Sequence, residues 1–278
     1  MVRIMESGVP SMKREAGGEA SAFPAFTVVD GDPARGLVLV CDHADNRVPA
    51  EYGDLGLPAS EFRRHIAYDP GSADLTRALA AALGAPAVLS TFSRLLIDPN
   101  RGEDDPTLVM RLSDGAVVPA NASIGPAERD DRIRRFHAPY HVAIDAAVER
   151  GLASGVAPAL FSVHSFTPVW RGTPRRWHAG VLWDRDPRLA VPLIEALRAD
   201  SALVVGDNEP YAGALLNDSM YRHATVRGLA HALIEVRQDL IADATGVAAW
   251  SARLAAILAR LNRDPAIHEV RRYGSNAE

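Results

Sequence analysis

Cysteine is almost missing from this chain. The single residue, Cys41, excludes an intramolecular disulfide and any thiolate metal cluster, and it suits a reducing cytoplasm, the expected setting. A bound metal would therefore have to be held by histidines and carboxylates. No apolar run approaches the roughly 20 residues that span a bilayer, and no apolar stretch near Arg3, Lys13 and Arg14 is long enough for a secretory signal. A basic stripe is also missing: 30 basic and 35 acidic residues are mixed along the chain, net charge −5, which argues against nucleic-acid or membrane partners and for a small solute. Neither an internal repeat nor a low-complexity linker interrupts residues 30–265, and no Gly-x-Ser-x-Gly elbow marks a serine hydrolase.

What remains is an ordinary globular composition, 47% apolar and 23% charged over 278 residues. Residues 1–25, rich in Gly, Ser, Ala and Glu, read as a flexible arm before one domain over 26–270, and Arg271 to Glu278 read as a loose tail. Short apolar runs alternate with helical patterns, so an α/β fold with a largely parallel sheet is expected. The runs at 36–41, 87–90, 159–163, 180–183, 203–205 and 230–236 read as strands, and Arg94–Asp98 as an extension of one or a further strand. Helices are expected over 74–83, 129–150 with an interruption near Pro139, 186–200 and 247–261.

Reactive side chains gather at the carboxyl ends of these strands, where ligands collect in open α/β sheets. His43 follows the first strand in Cys41-Asp-His-Ala-Asp-Asn-Arg-Val-Pro49, a crowding that suits a binding turn or a solvated loop. His164 follows ALFSV, as a ligand or a hydrogen-bonded structural residue. Glu235 sits inside ALIEV, where an unpaired carboxylate is costly, so it faces a polar cleft or pairs with a residue such as Arg237. The segment Arg94-Leu-Leu-Ile-Asp-Pro-Asn-Arg101 offers two guanidinium groups and an amide, enough to grip a carboxylate, or else a surface turn.

In this order, with DPNR, VHSFTP, Asn208-Glu-Pro-Tyr-Ala-Gly213 and IEVRQDL, the motifs resemble the N-formylglutamate amidohydrolase family, related to the zinc carboxypeptidases and aspartoacylase, from about residue 36 to 260. The resemblance implies a three-layer α/β sandwich of the phosphorylase/hydrolase type, with a mixed, mostly parallel sheet between helices. It implies zinc, or another divalent metal, held by His43 and His164 with a carboxylate or amide from Asp45 or Asn46. Asn46 stands where the carboxypeptidases carry a glutamate ligand, and since an amide is a poor zinc ligand, Asp45 or Asp69 are the alternatives. By the same resemblance Glu235 is the general base, Arg94 or Arg101 steadies the oxyanion, and Asn100 and Arg101 hold the substrate carboxylate. Asn208, Tyr211, His223 and Arg237 are further pocket residues, and the substrate is an N-acyl amino acid such as N-formyl-L-glutamate. A binding module that has lost the metal, and Cys41 as a nucleophile, are the competing readings.

Overall fold

The computed structural model describes residues 23–277. Most of the expected N-terminal arm therefore lies outside the described residues; of its last three, Ala25 is buried and Pro24 accepts a hydrogen bond from Thr91 Oγ1.

The elements run β1 (Phe26–Val29), β2 (Leu37–Cys41), α1 (Ser72–Leu83), β3 (Ala87–Ser90), β4 (Leu112–Ser113), β5 (Ala116–Val117), α2 (Pro119–Ala122), α3 (Pro126–Arg132) and α4 (Ala138–Ala153). Then follow β6 (Ala159–Phe166), β7 (Val169–Trp170), β8 (Thr173–Pro174), β9 (Ala179–Leu182), α5 (Pro187–Arg198), β10 (Val205–Asp207), β11 (His231–Arg237) and α6 (Ala244–Leu261). Seven strands form one mixed sheet in the order β1-β3-β2-β6-β11-β9-β10. The pairs β3/β2, β2/β6, β6/β11 and β9/β10 are parallel, and β1/β3 and β11/β9 are antiparallel. The mostly parallel α/β sandwich expected from the sequence is what forms.

The central strands read as continuous apolar runs because both faces are covered. All five residues of β2 and all eight of β6 are buried. One apolar layer joins α1, α5 and α6 to the sheet through residues such as Leu75, Leu193 and Leu254; α4 covers the opposite face with Tyr140, Ile144 and Val148. Each such side chain contributes roughly 1.5–3 kcal/mol of burial. Local chemistry sets the ends: Asp186 accepts from Arg188 N at 3.1 Å and Pro187 occupies the first turn of α5, while Gly84, in left-handed geometry at φ 63°, stops α1.

Three expectations change. Leu95, Leu96 and Ile97 are buried, but as consecutive turns and not a strand: Leu96 N donates to Ser93 O, and the Ser93 hydroxyl donates to Ala67 O. Burial alone produces such an apolar run, whatever the backbone does. The interruption expected near Pro139 does form, as a wider π-type turn over Ile133–His137, and the proline itself falls in the first turn of α4. The short strand expected at 203–205 lies at Val205–Asp207, and β1 is an addition. The tail is docked and not loose: Arg271 N donates to Gly228 O at 2.7 Å, Asn276 N donates to the Asp184 carboxylate at 3.0 Å, and Ser275 is buried. No helix among the described residues is long and apolar enough to cross a membrane.

Candidate metal and catalytic site

Polar residues appear where the parallel strands end. β2 delivers Asp42 and His43 just past Cys41, and β6 places His164 directly opposite Glu235 of β11 in the strand register. A fifth residue, Asp69, comes from the loop before α1. Asp69 N donates to His43 O at 2.9 Å, fixing that loop against the end of β2. Gly71 lets it turn there: φ is 81°, and a Cβ would stand 2.4 Å from Ile241 O.

These backbone placements bring two imidazoles to one carboxylate. Asp69 Oδ2 lies 2.8 Å from His164 Nδ1 and 3.3 Å from His43 Nδ1. The far nitrogen of each ring meets its own carboxylate, His43 Nε2 to Asp98 Oδ1 at 2.7 Å and His164 Nε2 to Asp42 Oδ2 at 3.0 Å. A metal held between Asp69 and the rings would need each Nδ1 as a lone-pair donor, and the outward contacts of Nε2 to Asp98 and Asp42 suit that tautomer. The outer carboxylates are themselves anchored. Arg94 donates to Asp98 Oδ2 from Nη2 at 2.7 Å and Nε at 3.1 Å, while Tyr140, Ser162 and Ser219 hydroxyls all donate to Asp42.

Burial raises the proton affinity of a carboxyl group, but its partners win here. Asp42 is held below the usual carboxylate range by the His164 hydrogen bond and charge, Asp69 by both histidines, and Asp98 by Arg94 and His43. Burial opposes the charged form of His164, but its hydrogen bonds to Asp42 and Asp69 raise it well above the usual imidazole range, so these carboxylates draw positive charge to the place between them. His43, Asp69 and His164 each offer a ligand atom, all within 4.8 Å of one another and all buried. Two imidazoles and one carboxylate are a donor set of catalytic zinc sites, so the residues present fit a divalent metal.

Glu235 differs from the other acids. It is 8% exposed, its Oε2 is buried without a hydrogen-bond partner, and its pKa is raised from 4.5 to about 7, by burial first, with the Asp69 charge adding to it and the His164 charge opposing. A carboxyl poised near neutrality can both take and return a proton at physiological pH. It faces a cavity of about 260 Å³ that His43, Asp69 and His164 also line.

Arg94, Asn100, Arg101 and Tyr211 line that cavity too. Arg94 is committed to Asp98, with Nη1 3.6 Å from Asp69. Asn100 Oδ1 accepts from Ser219 N at 3.1 Å, and Arg101 Nε is buried without a partner. The remaining expected residues lie elsewhere. Asp45 folds back on Arg47, accepting from its N at 2.9 Å and its Nε at 2.7 Å, and Asn46 Nδ2 donates to Phe62 O at 2.6 Å; neither lines the cavity, and the carboxylate between the histidines is Asp69. Asn208 Oδ1 accepts from Trp183 N at 3.0 Å and Gly213 N at 2.9 Å, which makes it a loop tie. His223 is fully buried between Asp145 and His141, and Arg237 forks onto Asp239 and the carbonyls of Arg175 and Trp177 instead of pairing with Glu235. Ser165 donates to Pro70 O, and the Cys41 thiol, fully buried and pushed up to about 11 by burial, is inert as a nucleophile.

Sequence reasoning missed the roles of Asp42 and Asp98. Their signal was present, an acid directly before His43 and another four residues after Arg94, but only the fold joins them to the two rings.

The sequence profile of the N-formylglutamate amidohydrolase family matches residues 35–242. Among solved structures, the chain is similar to a gene product, Atu2144, of Agrobacterium tumefaciens: 33% identity over 85% of this chain and 94% of that one, TM-score 0.79. It also shares its fold with an N-formylglutamate amidohydrolase from Ralstonia eutropha JMP134: 24% identity over 86% of this chain and 97% of that one, TM-score 0.69. A search of curated proteins gave no match.

Proposed function

Since the chain belongs to the N-formylglutamate amidohydrolase family and is therefore a hydrolase, we propose that it hydrolyses the amide bond of an N-acyl amino acid, of which N-formyl-L-glutamate is the family's named example. The observation that carries this reading is the buried, unpartnered Glu235 carboxyl in the same cavity as the His43–Asp69–His164 group.

His43, His164 and Asp69 would hold the metal, zinc by the chemistry of the donors. When bound, such an ion supplies Lewis acidity, polarising a carbonyl and making water more acidic. The chain's own residues do the rest. Glu235 Oε2 accepts a proton from the attacking water and returns it to the departing amine nitrogen, so that amide plus water gives a carboxylic acid and a free amino acid. Asp42 and Asp98 keep the two rings turned, and Arg94 locks Asp98. The free Nε–H of Arg101 and the Nδ2 of Asn100 point to the substrate carboxylate as their partner. The alternative of a metal-free binding module rests on Asn46; Asp69 beside both imidazoles supports the metal reading instead.

The test combines metal analysis with amine release from N-formyl amino acids. A stoichiometric divalent ion, removed by chelator together with turnover and restored with it, is the expected result. Turnover that survives complete metal removal would overturn the metal role, and no turnover of any N-acyl amino acid by the metal-loaded protein would overturn the function.

A further inference from the structure

The cavity has an unequal supply of charge. An N-acyl amino acid brings at least one carboxylate, and glutamate brings a second on its side chain. Two arginines line the cavity, Arg94 and Arg101. Arg94 has given its fork to Asp98 and lies beside Asp69, so among the described residues Arg101 is the uncommitted cation of the lining. Of the lining histidines outside the metal group, burial lowers the pKa of both His65 and His231 and favours their neutral forms. His231 already meets Leu229 O and Thr225 Oγ1, and His65 stands edge-on to Trp170.

The acidic side is well represented. Asp218 lines the same cavity, 5% exposed, with one oxygen accepting from Tyr221 N at 2.7 Å, and Asp114 lines it with its charge paired to Arg64. Much of the remaining lining is aromatic or aliphatic: Phe166, Trp170, Trp183, Tyr211, Met110 and Leu215. Arg175 stands behind three of these rings and does not line the cavity. Its guanidinium carbon is 5.5 Å from the Phe166 ring centroid, 5.2 Å from Trp170 and 5.1 Å from Tyr211, and Nη2 donates to Tyr211 Oη at 2.9 Å. The three rings and the Tyr211 hydroxyl hold its guanidinium outside the cavity lining.

We propose that the substrate of this hydrolase is an N-acyl amino acid with an uncharged, aromatic or aliphatic side chain: Arg101 takes the α-carboxylate, and the aromatic lining takes the side chain. This rests on the function proposed above. A glutamate side chain in that position would lose its water without gaining a cation.

The experiment measures kcat/KM of the zinc-loaded protein for N-formyl-L-phenylalanine, N-formyl-L-leucine and N-formyl-L-glutamate by release of free amine. The phenylalanine or leucine compound is expected to exceed the glutamate compound by about tenfold or more, equivalent to about 1.4 kcal/mol. In the Trp170→Ala variant, on the short β7/β8 hairpin, KM for the phenylalanine compound should rise severalfold with kcat nearly unchanged, while the glutamate compound is little affected. Equal or better use of N-formylglutamate overturns the proposal and leaves the amidohydrolase function standing. A collapse of glutamate turnover alone in Arg175→Met would also overturn it, by making Arg175 the side-chain cation. No turnover of any of the three compounds, nor of other N-acyl amino acids, removes the function itself and this selectivity with it.

Discussion

Replacing Glu235 with glutamine should move stability and activity in opposite directions. The native carboxyl holds its proton up to about pH 7, against 4.5 for its ordinary value. Between those values the unfolded chain has lost the proton and the native protein has not, so wild-type stability falls as pH rises through that window. Below 4.5 the carboxyl is protonated in both states and carries no penalty; above about 7 the penalty is complete. At about 1.4 kcal/mol per pH unit it amounts to roughly 3 kcal/mol in the metal-free protein. Glutamine keeps the shape and never ionises. Thermal unfolding of chelator-treated protein should therefore show Glu235→Gln matching wild type at pH 4.5 and exceeding it at pH 8, by about 5–10 °C at the usual sensitivity for a chain of this size. Turnover of the metal-loaded variant should drop about 10²–10⁴-fold with metal content retained. A Tm difference that does not grow with pH would mean that Glu235 is not a strained acid, and unchanged turnover would remove its catalytic role.

Asp98→Asn keeps the volume but weakens the acceptor for His43 Nε2, so metal affinity measured by chelator competition should fall about 10–100-fold; unaltered affinity would mean that the contact does not set the ring. Asn46→Ala removes the hydrogen bond to Phe62 O and should cost roughly 1 kcal/mol of stability while metal content and turnover stay at wild-type levels; metal loss would restore Asn46 as a ligand. Arg101→Met should raise KM, lowering kcat/KM about 10–100-fold with a smaller change in kcat, as expected for a group that grips the substrate equally in ground and transition states. A kcat defect at unchanged KM would instead give Arg101 a role in the chemical step.

The chain's pattern announced its layers. Runs such as LVLVC before His43 and ALFSV before His164 are apolar throughout, and only strands covered on both faces need that composition, so a largely parallel sheet between helices followed from residue order. The same logic singled out Glu235, since an acid inside ALIEV has to answer for its burial. Periodicity could not separate a buried strand from buried turns at Leu95–Ile97, because both hide every side chain. Nor could it choose the third candidate ligand among Asp45, Asn46 and Asp69. Neighbours in sequence, Asp45 and Asn46, were the local choices, yet Asp45 satisfies itself on Arg47 and Asn46 on Phe62. Asp69 reaches the histidines from 26 residues past His43, across a loop fixed by one backbone hydrogen bond to His43 O and a glycine turn against Ile241. Residue order thus determined which chemistry the chain carries and at which sheet edge it gathers, because burial and strand period are local properties. Which carboxylate meets which imidazole was decided by tertiary structure alone, because those contacts join segments 26 to 122 residues apart that only chain packing brings within hydrogen-bonding distance.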